Sequence, residues 1–571
     1  MAGRVGRMTH GAGAGQGGEA VEGGWALGGL LGGTRAAPAA GLLAAGLALG
    51  IAGDALLRAP GPFGLNVSLW VAAIVVAAVV LQRRAGAGME GWRLAWLVVA
   101  GVSAAGLAWR DSPALKLLAL GCVTVGFALA AYRAGGAWVR RAGLVQYARA
   151  WGTGALHAWT AGTLVLADAA RSRRPSDRDR KGPPRRVMAV VRGLLIATPL
   201  VLVFGALFAA ADAVFEDLVL RLVRVDLDVE LIASHLVLVA VCGWLVTGYL
   251  RGFLTGTELT PLRGLWRDGA RLTGVPERPT LGITEVATVL AVLDLLFLLF
   301  VVVQFRYLFG GDALVQVTPD LTYADYARRG FFELVFAVVL VVPLLLAADW
   351  LLARRKPGDD LVFRALAGAQ IGLVLAITAS ALYRLRLYHA SYGFTESRFY
   401  AMVLLVWIGL MLAWLAATVL RGRRDRFAFG ALVGGLGTIA LLFVVNPDAI
   451  VARTNVARLA SADAAVDAVV DAAARFDVAY ATSLSADAAP ILIEALPALP
   501  ADVQCPLARH LLRRWSSERE ASLRTWSWSA ARARDAVGRS EARLRGMAGP
   551  GEECAVPGAA SVLDREPAAQ S

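Results

Sequence analysis

The chain has 571 residues, of which 57% are hydrophobic and only 18% charged, and its mean hydropathy is +0.59. Soluble globular chains carry about 25% charged and 45–50% apolar residues. An ordinary soluble enzyme, a disordered chain and a disulfide scaffold are therefore excluded, and an all-α polytopic membrane protein remains.

Residues 1–35 are Gly-rich, have no apolar run of helix length and read as a disordered tail. A helix crossing roughly 30 Å of hydrocarbon needs about 20 mainly apolar residues. Windows of that kind run approximately over 37–57, 64–82, 94–110 and 114–132, giving four helices within 36–133. A basic segment, 134–189, comes next. Within it, 150–167 is flanked by arginines on both sides and carries Trp151, His157 and Trp159, which suits a helix lying in the membrane interface. Seven more windows, at 190–212, 231–250, 283–304, 331–353, 364–384, 399–420 and 427–446, make a second membrane domain over 190–446, for about eleven spans in all.

Beyond 446 no window is apolar enough to cross. Val466, Val469, Val470, Ala473 and Phe476 share one face of an amphipathic helix, and Pro490, Pro497, Pro500 and Pro506 break the segments after it. Further helices begin near Leu507 and run near 520–538. Residues 447–547 thus form a small helical region, and 548–571 a flexible tail. Cys505 and Cys554 can pair if this region faces an oxidising compartment, or remain two free thiols. Cys122 and Cys242 fall inside membrane helices as small packing groups.

The net charge of +13 is almost all arginine, since lysine occurs only at 116, 181 and 356. Arg83, Arg84, Arg93, the 133–189 segment, Arg354, Arg355, Lys356 and Arg421–Arg426 fall on one side. That side is cytoplasmic by the positive-inside tendency, with the N-terminus inside. The expected location is a bacterial inner (plasma) membrane. The run RSRRPSDRDRKGPPRR, 171–186, orients the chain and offers contact to anionic lipid. Without interleaved aromatics or a reading helix it is no nucleic-acid site.

No phosphate loop, H-E-x-x-H, C-x-x-C or G-x-S-x-G pattern occurs, so no cofactor or metal is expected. Asp54, Asp212 and Asp349 lie near helix ends within reach of water, and His235 lies near the outer end of its helix. Glu285 and Asp294 share one apolar window on opposite faces, and Asp294 is the deepest acid.

Arginines and tyrosines gather in four segments on the external side: FRYLFGG (305–311), LTYADYARRGFFEL (321–334), YRLRLYHASYGFTESRFYA (383–401) and NPDAIVARTN (446–455). The ligand-binding candidates are Arg306, Tyr307, Tyr326, Arg328, Arg329, Glu333, Arg384, Arg386, Tyr388, His389, Tyr392, Glu396 and Arg398. Arginine forks grip carboxylate or phosphate, and tyrosine stacks or hydrogen-bonds. An aromatic belt with structural ion pairs is the alternative.

These blocks, with GLLIATPLVLVFGALFAAADAVF (193–215) and LSADAAP (484–490), resemble a bacterial integral-membrane family known only as a domain of unknown function. The resemblance covers about residues 190–540 and implies a multi-span membrane protein, with no activity or site residue attached. The chain reads as a non-enzymatic envelope protein that binds an external ligand or protein partner. A secondary transporter coupled to protons or ions through Asp294 or Glu285, and a membrane-bound transferase using Glu333, Glu396, Asp448 or His389, are the alternatives.

Overall fold

The computed structural model describes residues 39–58, 63–86, 88–132, 135–172, 229–256, 280–309, 331–463, 476–516, 524–549 and Cys554. Its membrane region starts with α1 (Ala39–Leu57), α2 (Leu65–Arg84), α3 (Gly91–Trp109) and α4 (Pro113–Ala131). A short α5 (Gly135–Arg141) and a long α6 (Leu144–Ser172) come next, then α7 (Val229–Thr255), α8 (Ile283–Phe309), α9 (Phe331–Leu351), α10 (Asp359–Tyr392), α11 (Glu396–Thr418) and α12 (Phe427–Val445). Among the described residues nine helices are long and apolar enough to cross a membrane; α9 contributes a shorter apolar stretch, Val338–Leu351. The windows read from sequence coincide with these helices, except 190–212, which lies outside the described residues.

Two larger apolar cores lie in the membrane region, with smaller ones between α2, α3, α4 and α12 and between α10 and α11. Of the larger two, one joins α1–α4 with α6 and α7, and the other joins α8–α11. Helix α12 touches both, through Phe427 on one side and Phe429, Leu432 and Leu436 on the other. Apolar burial does not separate one helix from its neighbour in lipid, so close backbone packing has to select partners. It does so along α7. A Cβ on Gly50 would lie 2.5 Å from the Val239 carbonyl, and one on Gly248 would lie 2.3 Å from the Ala158 carbonyl. Helices α1 and α6 therefore touch α7 backbone to backbone.

The same packing positions 150–167. The segment is part of the 29-residue α6, which stands antiparallel to α7, with Ala158 beside Gly248 and Gly162 against the Trp244 ring. The Trp244 indole donates to the Trp159 carbonyl at 2.6 Å, while the Trp151 and Trp159 rings are exposed. The basic run beyond Ser172 lies outside the described residues.

Past α12 the chain forms α13 (Pro447–Asp463), α14 (Val478–Ser483), α15 (Ala489–Ala495), α16 (Ala501–Trp515), α17 (Trp528–Arg539) and α18 (Glu541–Ala548). Their core of Leu492, Leu496, Val503, Leu507, Leu511, Ala533, Val537 and Leu544 also takes in Phe394 from the α10–α11 turn. Pro490, Pro497 and Pro500 sit at helix boundaries as expected, but Pro506 lies inside α16. Its neighbours Val503 and Leu507 are fully buried, so apolar packing carries the helix past the proline. Of the amphipathic stretch 466–476 only Phe476 is described, and it is buried. Cys505 and Cys554 are bonded, which ties the C-terminal tail to α16. Cys122 and Cys242 are free and buried.

Close packing at Gly50 gives a direct expectation. Gly50→Ala forces α1 away from α7 and costs about 1–3 kcal/mol, whereas Gly101→Ala and Gly121→Ala, whose new Cβ atoms meet nothing within 4 Å, leave stability level or higher. Melting of the three variants in one detergent checks the contrast.

Candidate functional site

Three helix-to-helix turns and the C-terminal helices meet at one end of the bundle. The first is the exit from α12. Asn446 caps it in the left-handed conformation, with φ 58°, which Asn tolerates better than most residues. Pro447 then opens α13, a position where its missing N–H costs nothing. The turn drives Asp448 into the protein, where it is 0% exposed. Asp448 accepts from the Ser485 hydroxyl and from the Ser485 amide at 3.3 Å.

The α3–α4 turn supplies the positive charge. Arg110 donates to Asp487 Oδ1 at 3.0 Å and to the carbonyls of Phe443 and Val444 at 2.7 and 3.3 Å. Asp487 also accepts from the Asp111 amide at 2.9 Å and from the Ser529 hydroxyl. Lys116 closes the set on Asp111 at 2.7 Å. Two backbone bonds, Leu65 N–H to the Trp526 carbonyl and Asn66 N–H to the Arg524 carbonyl, tie the start of α2 to the same domain. The NPD and LSADAAP blocks thus interlock here, one through Asp448 and the other through Ser485 and Asp487.

The third turn joins α10 to α11. Gly393 takes φ +78°, and Asn455 brackets the next residue by donating to the Phe394 carbonyl and accepting from its N–H, both at 2.8 Å. The Tyr480 hydroxyl accepts from the Glu396 amide at 2.6 Å, and Arg398 donates to the Gly393 carbonyl. His389 lies 4.1 Å from the Phe394 ring centre. It sits beyond the crossing stretch Asp359–Arg386. Burial holds its pKa below the ordinary value, and the neighbouring Arg458 and Arg398 charges add to the effect. Burial pushes the Tyr480 phenol up to about 12. Between this turn and the C-terminal helices lies a cavity of about 110 Å³, lined by Gly393, Thr395, Asn455, Arg458, Asp477 and Tyr480 among others.

Of the residues expected to bind a ligand, His389, Glu396 and Arg398 converge on this turn. Arg384 and Arg386 lie further down α10, with Arg386 exposed. Tyr326, Arg328 and Arg329 fall outside the described residues, as do the side chains of Arg306, Tyr307, Glu333, Tyr388 and Tyr392. Arg110 and Tyr480 lie outside the sequence blocks, and the part they share with Ser485 and Asp487 depends on distant segments coming together.

The intramembrane acids separate. Glu285 Oε2 accepts from the Gly282 amide at 2.6 Å and so caps the start of α8. Asp294 shares the α8 stripe of Leu290, Phe297 and Val301, which packs into the α8–α11 core. Neither of its carboxylate oxygens has a hydrogen-bond partner among the described residues. Gln370 of α10 is 0% exposed and both its amide atoms are equally without partners. Each residue is eleven positions into its helix, and α8 and α10 start from the same end, so the two lie at like depth. Asp349 departs from expectation. It is 3% exposed rather than open to water, because Arg354 and Arg424 (3.0 Å) close over it. Asp54 is bound by Arg58 at 2.8 Å and by His235 at 2.5 Å.

Residues 94–495 match the family model described as a domain of unknown function, DUF4153. The match takes in α3 and α4, which the sequence blocks alone did not reach, and stops short of α16. No curated protein and no solved structure matches the chain.

The buried charges set the mutational response. Asp487→Ala strands Arg110, whose side chain is only 9% exposed, and costs about 3–5 kcal/mol. The C-terminal helices then separate from the membrane bundle, seen as faster proteolysis between α12 and α16, while the surface variant Asp535→Ala leaves the rate unchanged.

Proposed function

The chain belongs to the DUF4153 family, and from that premise we propose that it is a bacterial plasma-membrane protein that binds a small anionic group at its extracytoplasmic face. The observation that carries this reading is the cavity at the α10–α11 turn. Arg458 lines it, with His389 and Arg398 close enough to act on one another, and Asn455 and Tyr480 add polar groups. Asp477, the acid in the wall, is already engaged by the Tyr480 amide at 2.8 Å. At about 110 Å³ the cavity suits a carboxylate or phosphate group rather than a whole glycan. Two facts support the orientation. Arg83, Arg84, Arg140, Arg141, Arg354, Arg355, Arg421 and Arg423 border the opposite ends of the helices. The Cys505–Cys554 bond belongs to an oxidising compartment.

The test is titration of the purified protein in nanodiscs with phosphate, acetate and N-acetylated amino acids. Wild type binds at least one of them, and Arg458→Gln weakens that binding tenfold or more, as expected for loss of about 1.5–3 kcal/mol from a charged hydrogen bond. Absence of binding by wild type to every probe ends the proposal.

A second reading, proton- or ion-coupled transport, is favoured by a separate observation, the partnerless Asp294 and Gln370 at one depth in the bilayer. Ionisable groups at that depth commonly belong to ion pathways. Reconstituted vesicles would show proton-coupled uptake lost in Asp294→Asn; equal uptake by the variant removes this reading. Glu285 plays no part in it, being a helix cap. For the transferase alternative, Asp448 is wholly enclosed and cannot meet a substrate.

A further inference from the structure

A groove lies at the end of the bundle opposite the C-terminal helices, between α5, α11 and the start of α12. Its volume is about 680 Å³. Arg140 and Arg141 come from the end of α5, and Asp425 and Arg426 from the single 3-10 turn Arg424–Arg426 that precedes α12. Three arginines thus face one acid. That acid makes only a long contact, 4.0 Å, to Arg141, and both side chains are well exposed. Arg140 and Arg426 have no ion-pair partner among the described residues, so the rim keeps an excess of positive charge.

The rest of the groove is apolar and runs down the helices away from the arginines. Phe429, Gly430 and Val433 come after Arg426 on one face of α12, so that Val433 lies about 10 Å deeper along the axis. Trp414 of α11 forms the opposite wall. Its ring fits because position 430 has no side chain: a Cβ there would lie 2.2 Å from the indole nitrogen. The indole N–H is satisfied by the Phe427 carbonyl at 3.2 Å, which fixes the ring in place. Val433 is 48% exposed and opens the lower end toward the bilayer.

Cationic groups at the helix ends, a tryptophan at the interface and an apolar channel descending into the bilayer reproduce the polarity of one phospholipid. We propose that this groove binds an anionic diacyl phospholipid, with the headgroup phosphate on Arg140, Arg141 and Arg426 and an acyl chain along Trp414, Phe429 and Val433. The charge excess selects an anionic lipid over a zwitterionic one. The apolar wall selects a lipid over free phosphate. The groove includes none of the residues 171–186, and the inference is independent of the anion-binding proposal at the other end.

Native mass spectrometry of the full chain released from mixed phosphatidylglycerol and phosphatidylcholine micelles tests it. Wild type is expected to retain phosphatidylglycerol in preference. Each arginine changed to glutamine at 140, 141 and 426 should weaken retention about fivefold. The control Arg83→Gln/Arg84→Gln/Arg421→Gln removes equal charge from the same end of the bundle, outside the groove, and should retain the lipid as wild type does. Excess inorganic phosphate at matched ionic strength should not displace it. The proposal is overturned if the groove variants retain phosphatidylglycerol like wild type, if the control variant loses as much, or if free phosphate displaces the lipid. Arg140→Gln alone changes one exposed side chain and provides the reading should the triple variant fail to fold.

Discussion

The contact between Arg110 and Asp487 sets the arrangement at the C-terminal end of the bundle. A charge removed from water needs a partner and hydrogen bonds for its remaining valences, or the burial cost is not met. Arg110 directs its other donors to the carbonyls at the end of α12, and Asp487 takes an amide from the α3–α4 turn and a hydroxyl from the segment that opens α17. Those partners come from four parts of the chain. None can shift by a helical turn without exposing the others, so the C-terminal helices have one seat. Asp448 is held nearby by the Ser485 hydroxyl and amide.

This seat explains why the α10–α11 turn is so closely held. Helix α10 runs on beyond its crossing stretch to Tyr392, which carries the turn up to the C-terminal helices. Asn455, on the helix that begins beside Asp448, then replaces the backbone partners Phe394 would have in a longer helix. The cavity beside it arises where two rigid bodies meet at a glycine-bearing turn. At the opposite end the order is reversed. Asp349 is enclosed by Arg354 and Arg424, while the rim around Arg140 and Arg426 is left in positive excess.

The membrane helices are legible in the sequence because the bilayer imposes a length and an apolar composition on each of them separately. The possibility of a bond between Cys505 and Cys554 is legible, but not its presence, which depends on where α16 and the tail meet. For α6, flanking arginines and tryptophans say how a segment meets water and lipid. They do not say that glycines on another helix, 90 residues away, make room for it. Asp349 reads as close to water because a helix end usually is; two arginines from other segments remove that access. The candidate site is only half legible, since Glu396, Arg398, Asp448 and Asp487 fall in contiguous blocks while Arg110, Arg458 and Tyr480 are brought to them by the fold.

Several acids near the helix ends are matched by cations: Asp487 by Arg110, Asp349 by two arginines, Asp54 by Arg58 and His235. In the middle, Asp294 and Gln370 have no match among the described residues. Polar atoms cost more to leave unpaired at bilayer depth than at its edge. Neighbouring α8 positions hold Leu290 and Phe297, and a leucine at 294 would continue the same stripe at no such cost. Hydrogen bonding among the described residues therefore gives no account of the Asp294 carboxyl, or of the Gln370 amide at like depth on α10.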